Sequence, residues 1–450
     1  MPTTTPPDHA PSSRHRVLAQ GVQAAGVASI AALLVGLAAL FFAQMEGATG
    51  HWITWARVHA PWVFWVTLPG GLMLVLYLRD KYFIGTQGTG IPQVIAALQM
   101  PDPGQRSRVL SLRIAAGKLL LTTIGLLAAL SIGREGPSVQ VGACLMHEAT
   151  RWAKFPAHLV RRGLVLGGGG AGIAAAFNAP FAGMVFAFEE IGRSFEKENA
   201  SMLVRTILLA SLVCVIGLGN YYFYGDLAET NPAALQFDGV MPWLAIPLVA
   251  IIGGALGGCF SRLLLLFMPV VTGWIKRRAL VVGAVFGLAA AGLMVLSSGT
   301  TLGGGYTQAK AILSPELYAA DYAEIGVIYP LYRALASFLV LLTAIPGGLF
   351  DPTLSVGAGL GHSLAPLLTW TGLAPATLAL LFMASYFAGV VQSPITTMVI
   401  LVEMTGAVSL SLPLGLTAIL AYEVSRRICK TALYERLAEQ FMASGRQGNA

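Results

Sequence analysis

A few ionisable residues stand inside long apolar stretches, and any chemistry this chain performs must pass through them. Foremost is Glu135, in Gly133-Arg134-Glu135-Gly136-Pro137-Ser138-Val139-Gln140. Pro137 suits the first position of a helix, where its missing N–H costs nothing. The flanking glycines let the backbone turn and leave amides open before that helix. A helix start is an anion site, because its unpaired N–H groups and its dipole both present positive charge. Glu135 therefore stands where a mobile anion would stand. A carboxylate in a dry site is costly when charged and takes up a proton readily. Charged, it fills the anion place; protonated, it leaves, so one group can couple proton and anion movement. The bland alternative is a glutamate satisfied by the helix dipole or by Arg134.

The other candidates are fewer. Glu189-Glu190 close another apolar run. Adjacent carboxylates cannot share a helix face, so the two predict different jobs. Thr89 lies in the Gly-rich bend Gly85-Thr86-Gln87-Gly88-Thr89-Gly90-Ile91-Pro92-Gln93, which runs into a helix start. Its hydroxyl is either a donor to an ion or a helix cap. Neutral donors suit a conducted ion, which must be held firmly enough to shed water and weakly enough to leave. His147-Glu148 opens like a zinc-protease motif, but Arg151 stands where the second histidine belongs. No Ser/His or two-Asp constellation falls in the apolar runs, so the chain reads as no enzyme, with no metal and no cofactor. A purely structural scaffold has no use for Glu135 inside a bilayer.

The elements that position these residues follow from composition. The chain has 450 residues, 56% hydrophobic and 11% charged, with mean hydropathy +0.71. Soluble domains carry roughly a quarter charged residues, so this is a membrane protein. Asp, Glu, Lys and Arg are absent between Arg16 and Glu46, Arg57 and Arg79, Arg162 and Glu189, Arg205 and Asp226, Asp238 and Arg262, and Arg278 and Lys310, and from Asp351 to Glu403. A span needs about 20 apolar residues, so these runs fit ten or more helices, some short or broken. No stretch alternates like a barrel strand, so the class is all-α. The net charge of +7 comes from basic clusters between spans, the usual cytoplasmic bias, and excludes a nucleic-acid partner. Cys144, Cys214, Cys259 and Cys429 are scattered without metal or disulfide spacing. Residues 1–16 read as a disordered cytosolic tail, Val17 to Met45 as a retained first helix, and Ile91 to Gln99 as a helix too short to span. Arg151, Lys154, Arg161 and Arg162 read as cytoplasmic, Gly219 to Gly239 as an external loop, and 435–450 as a short cytosolic tail.

The two halves repeat, at about 85–220 and 240–425. Pro137-Ser138-Val139-Gln140-Val141-Gly142-Ala143 lies over Pro352-Thr353-Leu354-Ser355-Val356-Gly357-Ala358. Pro180 follows Pro137 by 43 residues and Pro394 follows Pro352 by 42, with Glu189 and Glu403 equally far beyond. Repeat transporters place their site at the repeat interface, with broken-helix N-termini facing an anionic group. The alignment itself leaves inverted and parallel halves open.

Three loops carry a specific resemblance: Gly88-Thr89-Gly90-Ile91-Pro92, Gly133-Arg134-Glu135-Gly136-Pro137 and Gly348-Leu349-Phe350-Asp351-Pro352, followed by Tyr434 in Lys430-Thr431-Ala432-Leu433-Tyr434. In this order they resemble the signature loops of the CLC family of chloride channels and proton-coupled anion transporters, over roughly Gly85 to Tyr434. The resemblance implies a polytopic CLC fold of two inverted halves within 17–434, and a homodimer with one pore per subunit. It is similar to short prokaryotic members without cytoplasmic domains and implies a cell-membrane location with both termini cytosolic. By resemblance, Glu135 is the gate and Glu190 the internal proton glutamate, with Glu189 helping protons reach it. Thr89 and Tyr434 donate to a central chloride, and amides of Leu349, Phe350, Arg134 and Gly136 complete the cradle. The expected activity is proton/chloride antiport, the alternative a passive chloride channel of the same fold. A fluoride exporter fits less well, because Thr89 and Tyr434 keep the chloride-type pattern. Thr89 departs from the serine often found there, and Gln93 and Ile95 from acidic residues near Lys118 in some relatives. Asp351 stands where an apolar residue is common; it either points away from the pore or repels the anion locally.

Overall fold

The computed structural model describes residues 13–156, 159–193 and 197–447. Apolar runs separated by Gly, Pro and basic breaks give helices throughout, with no strand among the described residues. The first half holds α1 (Ser13–His59), α2 (Phe64–Tyr82), α3 (Ile91–Gln99), α4 (Pro103–Val109), α5 (Leu112–Leu127), α6 (Glu135–Glu148), α7 (Leu164–Phe177), α8 (Pro180–Phe186) and α9 (Lys197–Leu218). After the short α10 (Leu227–Thr230) come α11 (Met241–Leu296), α12 (Tyr306–Leu313), α13 (Ala319–Ala323), α14 (Tyr329–Leu342) and α15 (Phe350–Leu364). The chain ends with α16 (Pro375–Val391), α17 (Pro394–Thr405), α18 (Ser411–Ile428) and α19 (Leu433–Gln447). Among the described residues six helical stretches are long and apolar enough to cross a bilayer, and α7, α14, α16 and α17 are apolar but shorter. The protein is an all-α polytopic membrane protein.

Three boundaries differ from the sequence reading, each for a physical reason. Helix α1 begins at Ser13, inside the expected tail, and continues past Met45 to His59; residues 1–12 lie outside the described residues. Its polar turn holds because Glu46 meets Arg134 and Trp52 packs edge-on against Phe64 at 5.5 Å. Pro61 ends it by forcing Ala60 out of the helical region, at φ −149° and ψ 56°. Helix α6 begins at Glu135, two residues before Pro137. Proline is tolerated there because the first-turn amides need no intrahelical partner. Lys276-Arg277-Arg278, read as a turn, is a break inside α11, where Arg278 leaves the helical region at φ −149°, ψ 63°. The two arms pack on different partners: Gly253 and Gly257 on Ser385 and Tyr386, Gly283 and Gly287 on Met73 and Pro69.

The repeat extends further than the aligned prolines. Helices α3, α5, α6, α7 and α8 correspond in order to α12, α14, α15, α16 and α17. The same uncommon backbone conformations recur at the same places: Gly90 (φ 100°) with Gly305 (97°), Ala129 (60°) with Ala344 (50°), and Asn178 (52°) with Gln392 (65°). A positive φ is strained for residues with a side chain, so these pairs mark one backbone design used twice. The hand of the repeat is fixed where the halves meet. Gly133 and Gly348 form an isolated antiparallel bridge, exchanging N–H···O bonds of 2.9 and 2.5 Å. Equivalent residues that pair antiparallel are related by a local two-fold axis, the relation that inverted halves require.

Small residues let the helices around this axis close up. Every residue of α7 is buried. A methyl group added at Gly172 would meet the Ser138 carbonyl carbon at 2.5 Å, and one at Gly168 the Gly142 carbonyl carbon at 2.6 Å. In the other half Gly357 lies equally close to Met383.

Candidate anion and proton site

Four helix starts converge on the bridge: α3 behind Thr89, α6 at Glu135, α15 at Phe350 and α19 at Tyr434. First-turn amides have no partner inside their own helices, so the convergence concentrates positive potential without a full cation. Gly136 packs on Thr89, where an added methyl would meet the Thr89 Cβ at 2.9 Å. Leu349 caps the start of α15 and Phe350 is its first residue, the counterpart of Glu135 in the inverted half. The Phe350 ring is caged by Phe387 at 4.7 Å, Phe186 at 5.8 Å, Phe177 at 6.1 Å and Tyr434 at 6.4 Å.

The polar atoms aimed into this region are conspicuously unsatisfied. Thr89 Oγ1, Tyr434 OH and both carboxylate oxygens of Glu135 are buried without a hydrogen-bond partner among the described residues. Glu135 is fully buried. Its carboxylate lies against the bridge glycines, where a methyl at Gly133 would meet Oε1 at 2.6 Å. Buried polar groups normally find partners, so the two orphaned hydroxyls of Thr89 and Tyr434 describe donors waiting for a guest. Thr89 is not a helix cap: α3 has no side-chain cap. Arg134 does not neutralise the gate either. Its Nε lies 2.9 Å from the Glu46 carboxylate and its Nη2 donates to the Ala176 carbonyl at 3.0 Å.

Each half braces its glycine loop with a buried cation. Lys118 Nζ donates to the carbonyls of Thr86 (2.8 Å) and Gly88 (2.7 Å). Arg333 donates to those of Thr300 (2.5 Å), Thr301 (3.2 Å) and Gly303 (2.6 Å). Lys118 is therefore wired to carbonyls, and the missing acids at Gln93 and Ile95 do not leave it unpartnered. Sequence reading passed over Arg333, yet the signal was available: Lys118 precedes Gly133 by 15 residues and Arg333 precedes Gly348 by 15.

The two adjacent glutamates part company, as their helix geometry requires. Glu189 accepts from Ile395 N (3.0 Å) and Thr396 N (2.6 Å), capping α17. Glu403, its counterpart, accepts from Phe181 N (3.1 Å) and Ala182 N (2.6 Å), capping α8. Glu190 turns inward, 1% exposed, and accepts from the Ser393 hydroxyl. Glu190 also lines an open vestibule of about 880 Å³ with Arg193, Arg426 and Lys430. Tyr434 is within electrostatic reach of both Glu190 and Glu135.

Comparison with known proteins matches this geometry to a family. The sequence profile described as "Voltage gated chloride channel" matches residues 70–426. The chain belongs to the voltage-gated chloride channel family. Among curated members, it is 30% identical to the H(+)/Cl(-) exchange transporter ClcA of Cronobacter sakazakii, over 92% of this chain and 90% of the relative. It is 28% identical to the protein of that name from Yersinia pestis, over 84% and 78%. Among solved structures of the family, a slow cyanobacterial Cl-/H+ antiporter superposes with a TM-score of 0.75 at 22% identity, covering 94% of this chain and 98% of the other. A CLC-type fluoride/proton antiporter gives 0.73 at 22% identity, with 95% and 99% covered. The family match takes in all three signature loops; Tyr434 lies just beyond it.

Proposed function

We propose that this chain is a coupled proton/chloride antiporter, with Glu135 as the protonatable gate and Glu190 as its internal proton carrier. The observation that carries the reading is the pair of buried carboxylates, Glu135 and Glu190, each within electrostatic reach of Tyr434. An anion channel needs the first and has no use for the second. Chloride would occupy the space between the Thr89 and Tyr434 hydroxyls and the amides of Leu349, Phe350, Arg134 and Gly136, which offer neutral donors suited to release. Ionised Glu135 excludes it from the outermost place; protonated Glu135 yields. Glu189 we assign to capping α17 rather than to carrying protons. The names of the curated relatives support the same exchange.

The basic clusters support a cell-membrane orientation with the Glu190 vestibule facing the cytosol, which puts both termini on that side. Phe181, Ile395, Leu412 and Leu416 are exposed on α8, α17 and α18, and we assign this apolar face to a homodimer contact within the bilayer. Neither a metal nor a cofactor enters the cycle.

Chloride-loaded proteoliposomes with external pH recorded test the reading. A chloride gradient is expected to drive protons uphill. Chloride flux with no proton movement would refute antiport and favour the passive channel. Glu190→Val is expected to abolish proton movement and leave chloride flux.

A further inference from the structure

Asp351 is the residue the function above leaves idle. It occupies the second position of α15, beside Phe350. It is fully buried, and neither carboxylate oxygen has a hydrogen-bond partner among the described residues. The Glu135 carboxylate lies against Gly348, three residues before Asp351, and the two carboxyl groups are within hydrogen-bonding and electrostatic reach of each other. Two ionised carboxylates cannot sit together in a dry site, and such pairs hold one proton between them. The surrounding charges relieve this only in part, through Arg134. Arg134, from the start of α6, is committed to Glu46 and the Ala176 carbonyl. Glu46, from α1, adds a further negative charge. Tyr224, in the connection before α10, is also within electrostatic reach of Asp351. On α14 Arg333 is spent on carbonyls; on α12 Lys310 donates to the Tyr306 hydroxyl; α16 carries no charged residue.

A polar-lined cavity lies one residue away from Asp351. A cavity of about 80 Å³ is lined by Glu46, Thr49, Arg57, Gly304 and Tyr306. Gly304 borders Asp351, where an added methyl would lie 3.4 Å from the Asp351 Cβ and 3.7 Å from Oδ2. A side-chain-free residue thus lies between a buried carboxyl and a cavity whose lining includes Glu46 and Arg57 but not Glu190 or its vestibule.

We propose that Asp351 is a second proton-carrying residue, sharing a proton with Glu135 and exchanging it with water in the cavity beside Glu46 and Gly304. In the step, the O–H bond on Asp351 breaks as an O–H bond forms on Glu135, and Asp351 is reprotonated from cavity water. This rests on the antiport reading, and places a relay on the side of the gate away from Glu190.

The test uses the full chain in proteoliposomes, with chloride and proton fluxes recorded together while pH is varied on one side at a time. Asp351→Asn is expected to slow proton flux on the order of a hundredfold, the scale of losing a positioned proton carrier. It is also expected to shift the pH midpoint of chloride flux, read from the cavity side, by about one unit. Asp351→Glu keeps a carboxyl group and is expected to keep proton flux. Infrared difference spectra between acid and neutral pH are expected to lose a carboxylic-acid carbonyl band in Asp351→Asn and to keep it in Asp351→Glu. Wild-type coupling with an unchanged proton flux and pH midpoint in Asp351→Asn overturns this proposal and leaves antiport standing. A wild type that moves no protons overturns both. Should Asp351→Asn fail to fold, Asp351→Glu with the wild-type carbonyl band absent overturns it equally.

Discussion

Exchanging the reciprocal caps tests whether the two halves are the same machine part. Glu189 and Glu403 each accept two helix-start amides of the opposite half, with bond lengths matching to 0.1 Å. A lost helix cap costs about 0.5–2 kcal/mol, and a hydrogen bond to a charged group is worth about 1.5–3 kcal/mol. Both carboxylates are only half-buried, which puts each where the two ranges overlap. Glu189→Ala and Glu403→Ala should therefore each destabilise by about 2 kcal/mol, and by amounts agreeing within about 0.5 kcal/mol. Glutamine keeps one acceptor and should cost about half as much. The assay is reversible unfolding in mixed micelles, with flux measured on each variant. Neither variant should alter the proton-to-chloride ratio. If Glu189→Gln abolishes proton movement while Glu403→Gln does not, and both unfold alike, Glu189 is a proton carrier and the capping assignment is refuted.

Other outcomes follow from the same geometry. Glu135→Gln should remove proton movement and leave chloride flux independent of pH; a retained pH dependence in liposome flux would take the gate away from this residue. Ser393→Ala removes the hydroxyl that Glu190 accepts from, and should slow proton flux more than chloride flux, as read by recording both ions together. Gly172→Ala forces a methyl against the Ser138 backbone and should cost about 1–3 kcal/mol, measured as a lowered unfolding midpoint. Lys118→Met leaves the Thr86 and Gly88 carbonyls without their donor and should weaken chloride binding by calorimetry, with Arg333→Met a comparable loss from the opposite half.

Much of this was legible in the sequence, for local reasons. Charge-free runs marked the spans, Ile91 to Gln99 emerged with its predicted ends, and the offset between Pro137 and Pro352 matched two helix starts. Glu135 stood out because it puts a carboxylate inside an otherwise apolar run, at a helix start that could hold a mobile anion. What stayed hidden depended on contacts distant in the chain. Glu46 looked like the end of a span until Arg134, 88 residues on, proved to hold it inside α1. The adjacent glutamates differed in sequence only by position, and only the inverted partner helix at Pro394 told the cap from the buried acid. Arg333 carried no local cue beyond its register with Lys118. Asp351 was ambiguous for the same reason: its meaning lies in what faces it.

The Gly133–Gly348 bridge has a mechanical consequence. Because the halves are hydrogen-bonded backbone to backbone beside the place where we propose the ion passes, neither helix start can shift without dragging the other. Rocking one half against its twin would break two buried hydrogen bonds at the centre of the site. The moving parts must then be light: a carboxylate swinging on two or three torsions, an aromatic ring, a proton. Such a transporter should keep running with its two halves covalently stapled together.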